Sequence, residues 1–127
     1  MDILTIISNL MYLIASVYLL HKGRKLEGII VMIIFIVSHI YHTNIHSNTW
    51  RTIDITISVL GFLYLFLIYH EKIFAYSNLL YFMILMIVYW VGFGCYYINI
   101  YGRTLYCIFH SIWHVLSALY GLYIVVS

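Results

Sequence analysis

The chain has 127 residues, of which 65% are hydrophobic, 19% are aromatic and only 8% are charged, and it contains no proline. Its mean hydropathy is +1.03, whereas soluble domains average about 25% charged and 45–50% apolar residues. Small domains leave a large share of their surface exposed, so a soluble domain of this size could not bury so much apolar surface. The composition excludes a soluble enzyme, a disordered segment and a nucleic-acid-binding module. It predicts one integral membrane domain over residues 1–127 that has membrane lipid as its partner.

Apolar segments that are about long enough to cross a bilayer as helices follow one another along the chain. They predict an all-α, polytopic membrane helix bundle with five transmembrane helices, over residues 3–20, 27–45, 52–69, 78–98 and 103–126. A β-barrel is excluded because its strands alternate apolar and polar side chains, whereas residues 29–37 are apolar on every face. The first segment has no basic region before it and no small-residue cleavage site after it. We therefore expect a retained helix and not a cleaved signal peptide.

Basic residues in the connections predict the orientation of the bundle. Arg51 and Arg103 lie on one side and are expected to be anchors at the level of the lipid headgroups. Cytoplasmic loops carry an excess of lysine and arginine. The other side carries four basic residues and is therefore placed in the cytosol: Lys22, Arg24, Lys25 and Lys72. The N-terminus is then predicted to be outside or lumenal and the C-terminus cytosolic.

Polar residues at helical spacing interrupt the apolar segments. Ser38 and His42 are four residues apart in the second helix, and His110 and His114 are four apart in the fifth, so the members of each pair share one helix face. Asp54 stands near the start of the third helix. The predicted topology brings these five residues to the outer half of the bilayer. Ionisable side chains inside a membrane are costly and usually mark a functional site.

A histidine pair at i and i+4 allows one helix to supply two ligands to a zinc ion. Three histidines with one open position are the usual ligands of catalytic zinc, which activates water and polarises a carbonyl group. We therefore predict a zinc site formed by His42, His110 and His114. Asp54 would act as general base or orient a ligand, and Ser38 would donate a hydrogen bond to a developing oxyanion. A helix-capping role for Asp54 remains an alternative.

Small residues on the same helix faces predict close helix packing next to the site. They are Ser117 and Gly121 below His114, and Ser58 and Gly61 below Asp54.

Trp113 is expected to face lipid in part. The remaining histidines are expected to be hydrogen-bonding, interfacial or solvated residues and not metal ligands: His21, His39, His46 and His70.

The order Ser-x-x-x-His, Asp and His-x-x-x-His on these helices resembles the membrane hydrolase superfamily of alkaline ceramidases and adiponectin receptors. The strings Ser38-His39-Ile40-Tyr41-His42 and His110-Ser111-Ile112-Trp113-His114-Val115-Leu116 are similar to those of its myomaker and post-GPI-attachment lipase branch. The resemblance implies zinc held by the three histidines with Ser38 and Asp54 beside it, and an outside N-terminus. The family has seven helices, so this chain would be a shortened member.

These observations predict a zinc-dependent intramembrane hydrolase that cleaves an ester or amide bond of a lipid, like a phospholipase or ceramidase. A myomaker-like structural or membrane-fusion protein with a non-catalytic zinc site is the alternative from a different class. A b-type haem protein is a third, but His110 and His114 share one face and suit a single ion better than opposite axial positions. An oligomer is possible. The net charge of +2 gives no indication of a nucleic-acid partner.

Overall fold

The computed structural model describes residues 3–98 and 102–127, and within these ranges the chain is helical without a strand. All five helices are long and apolar enough to cross a membrane, which confirms the predicted helix bundle and is compatible with a multi-pass membrane protein. Residues 99–101 and the side chain of Arg103, a predicted anchor, lie outside the described part. The helices are α1 (Ile3–His21), α2 (Lys25–Thr43), α3 (Asn48–Ile73), α4 (Tyr76–Ile98) and α5 (Gly102–Val126).

The largest difference from the predicted boundaries is in α3, which begins at Asn48 and not at residue 52, and ends at Ile73 and not at residue 69. The side-chain oxygen of Ser47 accepts a hydrogen bond from the backbone N–H of Trp50 at 3.3 Å. An oxygen at this position satisfies one of the N–H groups that have no partner within the helix. Ser47 is therefore the helix cap, and the capping role considered for Asp54 is wrong. Asp54 lies inside the helix, about 9 Å along its axis at 1.5 Å per residue.

The helices form an open arc in the order α3, α2, α1, α5, α4. Helix α1 packs between α2 and α5, while α2 packs on α3 and α5 packs on α4. Helices α3 and α4 are connected in sequence, but they contact each other only weakly. A cavity of about 470 Å³ lies between them, with α5 behind it. The arc is therefore open between its two ends, α3 and α4, and its other neighbouring helices pack against each other.

The larger buried apolar core joins α5 to α3 and α4. Trp113 is only 7% exposed, and its ring centroid lies 5.3 Å from that of Phe62 and 4.9 Å from that of Tyr89. The prediction that Trp113 faces lipid is therefore wrong, because α3 and α4 both reach this side of α5. The larger cluster of buried residues consists of Ile73, Leu85, Trp113, Tyr120 and Ile124.

The predicted cytosolic connections lie together at one end of the bundle. The Nζ atom of Lys72 donates to the backbone carbonyls of Ile124 and Ser127, so the end of α3 meets the end of α5. The hydroxyl group of Tyr69 donates to the Glu27 carboxylate at 2.5 Å, so the end of α3 also meets the beginning of α2. The two histidines predicted to be solvated at this end, His21 and His70, are exposed.

Close helix contacts occur at some of the predicted small residues and not at others. A Cβ atom built on Gly61 would lie 2.8 Å from Cδ1 of Ile34, which confirms a close approach of α2 to α3. A Cβ atom on Gly121 would meet nothing within 4 Å. The prediction of close packing at Gly121 is therefore wrong, because this glycine lines a small cavity and does not face a neighbouring backbone.

Helices α1 and α2 approach each other closely at Gly28, and this contact leads to a testable prediction. The Ser16 hydroxyl donates to the Gly28 carbonyl at 2.6 Å. A Cβ atom on Gly28 would lie 2.7 Å from Cγ of Leu20 and 3.2 Å from the backbone nitrogen of Leu20. We expect Gly28→Ala to push the helices apart and to lower the free energy of unfolding by about 1–3 kcal/mol, the usual cost of overpacking.

Thermal unfolding in detergent, followed by circular dichroism, measures this effect. Gly121→Ala is the matched control because it adds the same methyl group in a helix, where space is open. It should be neutral or slightly stabilising, since alanine favours helix over glycine. Equal melting temperatures of the two variants would contradict a tight contact at Gly28.

Candidate metal centre

Three histidine side chains from α2 and α5 meet in the interior of the bundle. His42 is near the end of α2, and His110 and His114 are one turn apart on α5. The ring centroids are separated by 5.0 Å for His42 and His110, 5.1 Å for His42 and His114, and 4.5 Å for His110 and His114. The three predicted ligands therefore form a compact triangle, which we call the histidine triangle.

The spacing and burial of the histidine triangle suit a metal ion. One nitrogen from each ring lies within 4.8 Å of the others, and a tetrahedral zinc ion with Zn–N distances of about 2.0–2.1 Å separates its ligand nitrogens by about 3.3 Å. His42 and His114 are only 1% and 2% exposed, whereas His110 is half-buried. Imidazole also binds copper, iron and nickel. The donor set could therefore hold a metal ion, and it does not select one metal.

The two residues predicted for catalysis, Ser38 and Asp54, lie on α2 and α3 at the level of the triangle. Ser38 is one turn before His42 and is buried, and Asp54 is 8% exposed. The Ser38 hydroxyl donates a hydrogen bond to the Asp54 carboxylate. Asp54 and His110 line the same two cavities. The structure therefore places all of the predicted site residues in one region and adds a bond between Ser38 and Asp54 that was not predicted.

The two cavities that meet at Asp54 and His110 differ in size and chemistry. The smaller one, of about 60 Å³, includes Arg51 and the phenol rings of Tyr41 and Tyr106 in its lining. The larger one, of about 470 Å³, is the cavity between α3 and α4. Its remaining lining is mostly apolar and includes Phe62, Phe66, Phe82, Met86 and Trp90. The region beside the triangle therefore borders one cavity that contains an arginine and two phenol groups and one that is mostly apolar.

Helix α1 has a buried polar face that was not predicted. Its residues recur at spacings of three or four, which places them on one face of a helix. Polar side chains at this spacing in an otherwise apolar membrane helix indicate its inward face, so the signal was present in the sequence. The face consists of Thr5, Ser8, Asn9, Tyr12 and Ser16, all of them buried.

This polar face of α1 contacts the histidine triangle. The Ser8 oxygen lies 2.9 Å from Nδ1 of His114. The ring of Tyr12 stands edge-on to the His114 ring, with centroids 5.5 Å apart, and its hydroxyl group is hydrogen-bonded to Ser117. Helix α1 thus contacts His114 through two side chains, although it contributes no residue to the triangle.

The histidines that were not predicted as ligands stay outside the triangle. His39 is half-buried, and its ring centroid lies 5.7 Å from that of Phe35, one turn earlier in α2. His46 is exposed in the connection between α2 and α3. Among the described residues, the three-histidine group consists of His42, His110 and His114.

Comparison with known proteins gives no relative from which a function can be transferred. No protein-family model, curated protein or solved structure matches this chain. What the site can do therefore follows from its own groups. These are three imidazoles close enough to hold one ion, a carboxylate that is hydrogen-bonded to a serine, and two cavities that are both lined by Asp54 and His110.

Proposed function

We propose that this chain is a zinc-dependent intramembrane hydrolase that cleaves an ester or amide bond of a membrane lipid. The observation that carries the proposal is that His110 of the histidine triangle and Asp54 line the same large, mostly apolar cavity. Three histidines with an open position are typical of catalytic zinc. A bound zinc ion polarises a carbonyl group and lowers the pKa of a water molecule. The resemblance to the alkaline ceramidase and adiponectin receptor superfamily supports the same reaction.

The cavity between α3 and α4 supports a lipid as the substrate. Its volume of about 470 Å³ falls within the range of about 300–1,000 Å³ that is usual for ligand pockets. It lies between the two helices that contact each other weakly, so an acyl chain can enter from the bilayer. The smaller cavity, with Arg51 and two tyrosines, suits the polar part of the same molecule. The scissile bond would then lie between the cavities, next to Asp54 and His110.

Asp54 is the residue that we assign to proton transfer. A carboxylate beside a polarised carbonyl takes a proton from the water molecule whose oxygen bonds to the carbonyl carbon. It returns that proton to the leaving oxygen or nitrogen as the ester or amide bond breaks. Burial shields Asp54 from bulk water, and its place in the lining of both cavities puts it within reach of a substrate.

Ser38 has two tasks that exclude each other at any one moment. A hydroxyl group has one hydrogen to donate, and that of Ser38 is donated to Asp54. In this state Ser38 orients the carboxylate. To stabilise an oxyanion, as the sequence predicts, the hydroxyl must turn away from Asp54. We therefore assign Ser38 first to the orientation of Asp54 and only then to the oxyanion.

The orientation in the membrane is part of the same proposal. The predicted cytosolic residues lie in or next to the connections at the end of the bundle opposite the histidine triangle; they are Lys22, Arg24, Lys25 and Lys72. Because cytoplasmic connections are enriched in lysine and arginine, the N-terminus would lie outside or in a lumen and the C-terminus in the cytosol. The metal site then lies in the outer half of the bilayer.

A structural role for the metal is the second candidate, and one observation favours it. His42 belongs to α2, whereas His110 and His114 belong to α5, and these two helices are otherwise separated by α1. A metal ion in the triangle would link α2 to α5 and hold α1 between them without any reaction. This role corresponds to the alternative of a myomaker-like structural or membrane-fusion protein.

Metal analysis and lipid turnover of the purified full chain in lipid nanodiscs test the proposal together. We expect about one zinc ion per chain and release of a fatty acid or other cleavage product, detected by mass spectrometry. Removal of the metal with a chelator should stop the release, and addition of zinc should restore it. Bound zinc without turnover of any lipid in a total membrane extract would favour the structural role. The absence of bound zinc would contradict both roles.

A further inference from the structure

We propose that α1 sets the orientation and the tautomer of His114, with Ser8 as a positioning residue for this ligand. The inference rests on the proposed metal site and extends it to a helix that supplies no ligand. It gives a function to the buried polar face of α1. The contact joins residues that are 106 positions apart in the chain.

The two contacts of the Ser8 oxygen support one direction for each donor. The Ser8 hydroxyl donates to the backbone carbonyl of Thr5 at 3.0 Å, because a carbonyl oxygen can only accept. The same Ser8 oxygen lies 2.9 Å from Nδ1 of His114. When the single hydrogen of Ser8 is donated to Thr5, the Ser8 oxygen accepts from the ring. This arrangement puts the hydrogen of the neutral His114 imidazole on Nδ1.

The backbone of Thr5 is a second partner of the same ring. It is hydrogen-bonded to the His114 ring, and a carbonyl acceptor requires a hydrogen on the ring nitrogen that it contacts. A neutral imidazole with its hydrogen on Nδ1 carries its lone pair on Nε2. The Nε2 atom is then the donor that His114 offers to a metal ion in the histidine triangle.

Because these groups are buried, only protein side chains and backbone groups hold the His114 ring in this orientation. Thr5, Ser8 and His114 are all buried, so bulk water does not replace a lost partner. The edge of the Tyr12 ring packs against the His114 ring at a centroid distance of 5.5 Å and limits its rotation. Histidine ligands almost always donate their second N–H group to a carboxylate, a carbonyl or a water molecule, and loss of that partner weakens metal binding about 10–100-fold. Ser8 takes this place for His114.

The test is the affinity of the full chain for Zn²⁺ and Co²⁺, measured in competition with a chelator. We expect Ser8→Ala to weaken binding about 10–100-fold and to change the visible absorption bands of bound Co²⁺. Ser8→Thr keeps the hydroxyl group and should restore both the affinity and the bands. Ser8→Val has nearly the same shape as Ser8→Thr but lacks the hydroxyl group, so it should behave like Ser8→Ala.

Ser16→Ala is the matched control. Ser16 is another buried serine of α1 whose hydroxyl donates to a backbone carbonyl, that of Gly28, at a distance from the triangle. It should leave metal affinity unchanged. Ser8→Ala with wild-type affinity and spectrum would overturn the proposal, and so would Ser8→Thr and Ser8→Val variants that bind metal equally.

The comparison of Ser8→Thr with Ser8→Val also covers a loss of folding in Ser8→Ala. The helix content of both metal-free proteins, measured by circular dichroism, should be equal, so that a difference in affinity reports the hydroxyl group. A wild-type chain that binds no metal would overturn the proposed site itself. That outcome is distinct from a wild-type chain that binds metal and is insensitive to Ser8.

Discussion

Replacement of both His110 and His114 by alanine is expected to abolish stoichiometric metal binding by the purified chain. These two residues supply two of the three imidazoles in the histidine triangle, and a single histidine does not hold a zinc ion. Zinc sites bind with about 10–16 kcal/mol shared among four ligands, so the loss of two ligands should weaken binding by at least about 10³-fold. Metal content by mass spectrometry and affinity by chelator competition measure the change.

Replacement of His39 and His46 by alanine is the matched control, because it also removes two histidines. Both lie outside the triangle, one half-buried on α2 and the other exposed in the following connection. This variant should keep wild-type metal content. Metal that persists in the His110→Ala, His114→Ala variant, or is lost equally in the control, would contradict the assignment of the ligands.

Asp54→Asn is expected to abolish lipid turnover while the metal stays bound. The amide has nearly the shape of the carboxylate and still accepts a hydrogen bond from Ser38, but it is not a base. General acid–base catalysis contributes about 10²–10⁴-fold to a rate, so turnover should fall by a factor in this range. Product release and metal content are measured on the same preparation.

Glu27→Gln is the control for Asp54→Asn, since it makes the same carboxylate-to-amide change at the opposite end of the bundle. Glu27 accepts a hydrogen bond from Tyr69 there and does not line the two cavities beside the triangle. Its turnover should equal that of the wild type. Wild-type turnover in Asp54→Asn would remove Asp54 from the reaction. A loss of metal in this variant would instead assign Asp54 to holding the site together.

The two experiments together separate catalysis from a structural metal. If the metal only links α2 to α5, the histidine variants should lose metal and stability, and Asp54→Asn should change neither. If the site is catalytic, Asp54→Asn should affect turnover alone. The distinction depends on the fact that Asp54 lines the cavities and belongs to α3, whereas the triangle is built from α2 and α5.

Several features of the site follow from local patterns in the sequence. Lipid offers no partner to polar groups, so Ser38, Asp54, His110 and His114 must face the interior, and their spacing shows which helix face this is. The number of helices follows from apolar length in the same way, and the structure confirms it. The predicted start of α3 is wrong because the polar residues before it lack the apolar pattern that marks a membrane helix. The Ser47 cap, which sets that start, is a local contact of one hydroxyl group.

The features that were missed depend on which helices are neighbours. Trp113 is buried because α3 and α4 both reach it, and Gly121 lacks a close contact because a cavity lies beside it. The cavity between α3 and α4 exists because these helices are adjacent in the chain but barely touch. A helical period shows that a side chain points inward, but it does not show what that side chain meets.

The sequence by itself determined that the chain is a bundle of membrane helices and that serine, aspartate and histidine side chains point into it. These conclusions depend on solvation, because the cost of a polar group in lipid is the same whichever helix lies opposite. Only the tertiary structure decided that three histidines form one triangle, that Ser38 is hydrogen-bonded to Asp54, and that Ser8 contacts His114 across 106 residues. These contacts depend on the order of the helices in the arc, which is set by side-chain packing summed over the whole bundle.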